Sequence, residues 1–131
     1  MKRIAMTSLL VADYDEALTF YVGRLGFVLA EDTPLPDEQK RWVVIKPSDK
    51  ADAALLLVQA KTTDEVARIG KPVGDRVSHF LYTEDFTRDY TLYRECGVQF
   101  LEAPRKEPYG TVAVFQDLYG NKWDLLQPAA L

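Results

Sequence analysis

The sequence predicts an α+β fold made of two copies of one unit, a strand, a helix and then three strands, and three observations carry that expectation. Apolar periodicity switches from strand-like to helical immediately after an aspartate, once at Asp13 and again at Asp85. Each helical stretch is closed by a glycine, Gly26 or Gly97, and is succeeded by three extended segments. Residues 25–34 also align with residues 96–105, so element order, capping residue and closing glycine repeat together. One domain is expected over residues 1–131, with module one about 1–70 and module two about 76–131.

Residues 3–12 are mostly apolar and read as a buried strand. After Asp13, a plausible N-cap with Glu16 three residues on, Ala17, Phe20, Tyr21 and Leu25 fall on one helical face. Extended structure starts at 27–30, and the polar, proline-containing stretch 31–40 reads as a loop. Strands are expected at 41–47 and 54–59, with a turn between them. A short helix begins at Thr62 or Thr63 and ends at Gly70. The segment 70–76, with two glycines and a proline, reads as the internal linker. The second half gives a strand at 77–83, a helix at 85–97, a strand at 98–104 and a turn over 105–110. Strands at 111–117 and 122–127, joined by a Gly-Asn turn, complete it.

Composition narrows the class. The chain has 131 residues, 47% hydrophobic and 27% charged, the balance of a soluble globular domain with a real core. No apolar run approaches the roughly 20 residues a membrane span needs, so no membrane partner is expected. The N-terminus starts basic and then apolar, but Asp13 and Asp15 interrupt it, and it reads as a strand entering a helix rather than a signal peptide. Cys96 is the only cysteine, which excludes an intrachain disulfide and a cysteine-held zinc, and a cytoplasmic location is expected. The net charge of −4 gives no reason to expect nucleic acid.

Two segments carry a family resemblance. VADYDEALTFYVGRLGF (11–27) resembles V-x-D-x-x-x-A-x-x-F-Y-x-x-x-L-G-F, and DLYGNKWDLLQ (117–127) resembles D-x-x-G-N-x-W/I-x-L. Both patterns are frequent in the vicinal oxygen chelate superfamily, which includes glyoxalase I, the bleomycin-resistance proteins and the extradiol dioxygenases. EPYGTVAVFQD (107–117) fits as well, so the resemblance covers essentially the whole chain. It implies paired βαβββ modules whose sheets form a curved, open half-barrel with helices on the convex side. It also implies a homodimer and, in the metalloenzymes, a divalent metal on the concave surface. The ligands there are His, Glu or Gln on the first and last strands of each module.

Those ligand positions are mostly lost here. The first-strand ligand of metal-binding relatives lies seven residues before the capping Asp, which gives Met6 and Ser78 in this chain. The last-strand positions fall at Leu55 or Leu56 and at Asp124. Only Asp124 has a ligand-type side chain for a hard or borderline ion. The single histidine, His79, is one residue from the expected position, and strand alternation would put it on the opposite sheet face from Ser78. A histidine packed between helix and sheet, or at an interface, is expected. No metal ligand set and no cofactor are therefore expected, with a divalent metal as the alternative.

Other chemistry is scarce. There is no phosphate-binding glycine loop and no G-x-S-x-G. A Ser–His–Asp set from Ser8 or Ser78, His79 and Asp124 is disfavoured by the same alternation. Cys96 ends a helix, where the dipole disfavours a thiolate nucleophile, and it reads as a packing residue. Aromatics on or beside strands, with few polar groups, suit a cleft for a flat or apolar ligand. Trp42, Tyr109 and Phe115 are candidate ligand-binding residues of this kind. Parity adds Met6, Ser8, Phe80, Tyr82 and Asp124 as the cleft floor, with Leu10, Ser78 and Leu126 on the same side and Ser78 a further ligand-binding candidate. Arg41, Lys46, Glu102, Arg105 and Gln116 are candidates for its rim. The expected function is metal-free binding of a small organic molecule, and an acidic protein with an aromatic cleft suits a cationic, aromatic one. A metal-dependent lyase, isomerase or dioxygenase is the alternative.

Overall fold

A computed structural model describes residues 1–51 and 53–130, so the turn expected between 47 and 53 includes one residue outside the described set. The chain divides into two compact units, Met1–Ile69 and Gly70–Leu131. Among the described residues, no helix is long and apolar enough to cross a membrane.

The first unit contains β1 (Met6–Val11), α1 (Tyr14–Tyr21), β2 (Val28–Leu35), β3 (Lys40–Lys46), β4 (Ala54–Gln59) and α2 (Thr63–Arg68). Asp13 caps α1, its Oδ2 accepting from the Glu16 N–H at 2.9 Å, which satisfies one of the donors a helix start leaves open. Tyr14, Ala17, Phe20 and Tyr21 are the buried face of the helix. The chain then reverses at Gly26, whose φ of +71° is in the region that favours glycine. The sheet order is β1-β4-β3-β2, with β1 and β4 parallel and the other pairs antiparallel. Thr62 caps α2 with a full capping box to Glu65.

The stretch read as a loop at 31–40 is different. Strand β2 continues to Leu35, and a short 3₁₀ turn, Pro36–Glu38, comes after it. Two devices make this possible. Strand β2 is the sheet edge, where a proline such as Pro34 removes no needed ladder bond. Arg41 on β3 then ties Asp32 by two bonds, Nε–Oδ1 at 3.1 Å and Nη2–Oδ2 at 2.6 Å. That guanidinium holds the Asp32 carboxyl below the usual carboxylate range.

The second unit contains β5 (Pro72–Asp75), β6 (Val77–Tyr82), α3 (Phe86–Glu95), β7 (Gln99–Phe100), β8 (Arg105–Glu107), β9 (Gly110–Gln116) and β10 (Lys122–Pro128). Its order, β6-β10-β9-β7, repeats that of the first unit, with β6 and β10 parallel. Asp85 caps α3 through Oδ1, which accepts from the Arg88 N–H at 3.1 Å, and Gly97 reverses the chain at φ +83°. The segments read as linker and turn hold β5 and β8. The strand expected at 98–104 shrinks to two residues, because both β7 and β8 pair with β9. Between them Glu102 substitutes for a strand, its Oε2 accepting from the Val114 N–H at 2.9 Å.

The turn from β9 to β10 is built on Asp117. This carboxylate, 5% exposed, accepts from the Tyr119 N–H, the Asn121 N–H, the Asn121 Nδ2 and the Trp123 Nε1. Gly120 sits in the turn at φ +86°. Replacing Asp117 with Ala strips that acceptor from several buried donors and is expected to lower stability by about 3 kcal/mol. Urea unfolding checks this, and an unchanged midpoint would contradict the role assigned to the carboxylate.

Candidate functional site

The two faces of the second unit's sheet differ in chemistry. The face toward α3 is an aromatic core. His79 stacks on Trp123 with ring centroids 4.4 Å apart, Trp123 stacks on Phe115 at 5.9 Å, and Phe115 meets Tyr93 of α3 edge-on at 5.7 Å. Phe115 is 0% exposed. Its expected place among the ligand-binding residues is therefore corrected. It pairs across the strands with Trp123 and shares that residue's side of the sheet. His79 shares this aromatic face through its stack on Trp123, and burial lowers its pKa from the ordinary histidine value, with Asp117 opposing the shift.

Ser78 needs a second correction. In the parallel β6–β10 pair, Lys122 faces Val77 and Trp123 faces His79, so Ser78 is one extra residue in the ladder. The bulge interrupts strand alternation, and the Ser78 Oγ meets the His79 Nδ1 at 2.7 Å and bonds the Lys122 carbonyl at 3.3 Å. The alternation argument that kept these two side chains apart fails at this position. Ser78 serves the bulge and is not on the floor of the open face.

The face away from α3 carries the candidate site. Phe80 and Tyr82 of β6 are 64% and 67% exposed, and pair with Asp124 and Leu126 of β10. Asp124 is 9% exposed, and its Oδ1 has no hydrogen-bond partner. Burial raises its carboxyl pKa above the ordinary value, with Arg105 opposing the shift and Glu102 adding to it. Arg105 is itself engaged by carboxylates. Its Nε donates to Glu102 Oε1 at 2.9 Å, and its Nη1 to Glu107 Oε1 at 2.8 Å. Tyr109, at the tip of the β8–β9 hairpin and 52% exposed, interacts with the same guanidinium. Glu102 and Arg105 appeared in the sequence only as rim candidates. The signal that ties them to Glu107 is a Glu-x-x-Arg-x-Glu spacing around a proline turn.

In the first unit, Leu9 and Val11 of β1 are buried on the α1 side, so Met6 and Ser8 lie on the other face. Ser8 pairs with Leu56, which fixes the last-strand position of that module as Leu56 and leaves Leu55 on the helix side. Trp42, 38% exposed, lies two residues from Val44, the partner of Leu56, and shares its face. Arg41 leaves the rim. Its guanidinium bonds Asp15 of α1 at 2.9 Å and sits 5.2 Å over the Tyr14 ring.

Among the described residues, no group of three or more His, Cys, Asp or Glu side chains is placed to hold a metal ion. The side chains at the positions that the resemblance assigns to a divalent metal, Met6, Leu56, Ser78 and Asp124, include a single ligand-type group and do not fit such an ion.

Residues 3–125 match the Glyoxalase/Bleomycin resistance protein/Dioxygenase superfamily. The chain belongs to that superfamily. An uncharacterized protein of Shewanella frigidimarina (strain NCIMB 400) is 48% identical over 124 residues, covering 95% of this chain and 92% of that one. Among solved structures of similar fold is UcmS2, with a TM-score of 0.83, 28% identity and coverage of 96% and 98%. TnmS3, an antibiotic binding protein from Streptomyces sp. CB03234, gives a TM-score of 0.79 and 32% identity, with 98% of both chains covered. Membership of the superfamily fixes the fold and leaves the chemistry to the side chains on each face.

The shifted pKa values of His79 and Asp124 make stability depend on pH in opposite ways. The folded His79 binds its proton less readily than an unfolded one. Its contribution to stability is present above the ordinary histidine pKa of about 6.5 and is lost as pH falls from there through the lower folded value. Urea unfolding at pH 8 and pH 5 should show a smaller loss in His79→Phe than in the parent. For Asp124 the sign is opposite, because a raised carboxyl pKa makes the folded state less stable as pH rises through the carboxylate range. Asp124→Asn should therefore unfold at a higher urea concentration than the parent at pH 7, by about 1 kcal/mol. A lower midpoint would contradict this.

Proposed function

We propose that this protein binds a small, flat organic molecule and does so without a metal. The observation that carries the reading is the pair of exposed rings, Phe80 and Tyr82, on one sheet face beside the buried Asp124. Large apolar side chains held out to water on a rigid strand are placed for a partner, not for the core. At about 25 cal/mol per Å², covering roughly 100 Å² of a ring contributes about 2–3 kcal/mol for each of the two rings. Support also comes from the likeness to TnmS3, an antibiotic binding protein. The loss of ligand-type side chains at Met6, Leu56 and Ser78 disfavours a metal-dependent lyase, isomerase or dioxygenase. A homodimer is part of the proposal, and a monomer mass by light scattering would overturn that part.

The test is a thermal-shift screen of planar aromatic compounds, with calorimetry on the hits. At least one class should raise the melting temperature in a dose-dependent way. Phe80→Ala with Tyr82→Ala should weaken the best hit at least tenfold. A screen with no stabilising compound, or a double variant that binds as tightly as the parent, would overturn the reading. So would a stoichiometric metal bound through Asp124 in the purified protein.

A further inference from the structure

Buried side-chain polar atoms that lack a partner are few. Among the described residues they are the Asn121 Oδ1 and the Asp124 Oδ1. Asn121 belongs to the Asp117 turn, where its amide nitrogen is already used. Asp124 is on the open face, and no ion pair among the described residues neutralises it. A buried carboxyl oxygen without a partner is costly, so its retention calls for a ligand group that supplies the missing contact.

The charges around it specify that group. Arg105 is the basic residue next to the site, and its guanidinium is held by Glu102 and Glu107. Three carboxylates, Asp124, Glu102 and Glu107, thus stand against one guanidinium. An anionic ligand would meet repulsion, and a neutral one would leave the excess charge uncompensated. An inorganic cation needs several oxygen donors, and the described residues provide no such cluster. A protonated amine needs only one strong acceptor, because it brings its own three donors and keeps water on the others. The exposed rings of Phe80 and Tyr82 on the same face add a second attraction, since an aromatic face favours an adjacent cation.

Resting on the binding reading above, we propose that Asp124 receives a protonated amine on an aromatic ligand whose ring system lies on Phe80 and Tyr82. Asp124 thereby decides which flat molecules the face accepts, and the two rings supply the part of the affinity that any flat molecule can use.

The experiment compares matched ligands by calorimetry at pH 7 on the full chain. The probes are the aminomethyl and hydroxymethyl derivatives of naphthalene and of anthracene, which differ in charge and hardly in shape. The parent protein should bind the amines at least tenfold more tightly than the alcohols. In Asp124→Asn the amine-to-alcohol ratio should fall to near one, with a urea midpoint showing that the variant is folded. Alcohols bound as tightly as amines by the parent would overturn the role of Asp124 while leaving the binding reading in place. A ratio unchanged in Asp124→Asn would overturn it too. Failure of every probe to bind would overturn both.

Discussion

The Asp117 carboxylate is the fixed point from which the second unit's site is laid out. It is buried at 5% exposure, yet it is satisfied by backbone and side-chain N–H groups from the four-residue stretch after it and by the Trp123 indole. A charge in that position is tolerable only because so many donors converge on it. The same bonds set where β10 begins. Asp117 N–H reaches back to the Asn121 carbonyl at 3.0 Å, so the first residues of β10 are in register with the last of β9. A slip of one residue would exchange the faces of Trp123 and Asp124, burying a carboxylate in the aromatic core and exposing an indole. The turn therefore decides which side of the sheet carries chemistry.

The bulge at Ser78 does the equivalent work on the neighbouring strand. The parallel pairing of β6 with β10 would carry strict alternation from Val77 onward, which would bring the rings of β6 to the helix side. One extra residue at Ser78 shifts the ladder, so that His79 meets Trp123 and Phe80 meets Asp124. The cost is local, because the hydroxyl of the extra residue is taken up by His79 and the Lys122 carbonyl. Adjacent residues thereby divide the labour. His79 closes the hydrophobic face with a lowered pKa, and Phe80 opens the other face to solvent.

Much of this was legible in the sequence, and the limits are physical. The two capping aspartates and the two closing glycines were readable because a helix terminus has few alternatives for its free N–H groups and its reversal. Asp13, Asp85, Gly26 and Gly97 all occupy the places expected. Parity placed Met6, Ser8, Phe80, Tyr82 and Asp124 away from the helices because strand period is rigid once the core face is known. Parity failed at Ser78, since a bulge has no local sequence signal beyond the residue it inserts. Phe115 was misplaced because an aromatic on a strand is equally suited to either face, and only its pairing with Trp123 separates them. The strand at 31–35 was hidden by Pro34, which is harmless on an edge. Its edge position depends on a pairing order that sequence does not print.

The balance at Asp124 connects stability to function. The core on the α3 side is closed by stacked rings and by a satisfied buried carboxylate, so its polar groups are already committed to one another. The opposite face is built the other way. It exposes two rings, keeps a buried carboxyl oxygen without a partner, and commits the neighbouring Arg105 guanidinium to two other carboxylates. The exposed rings and the carboxyl oxygen without a partner each lower the stability of the free protein relative to an apolar or paired arrangement. A set of such costs gathered on one face is the pattern expected where a site trades stability for binding, which is the reading proposed above. The fold supplies a rigid frame, and on this face it leaves the buried Asp124 Oδ1 without a partner, which is the premise of the selectivity proposed above.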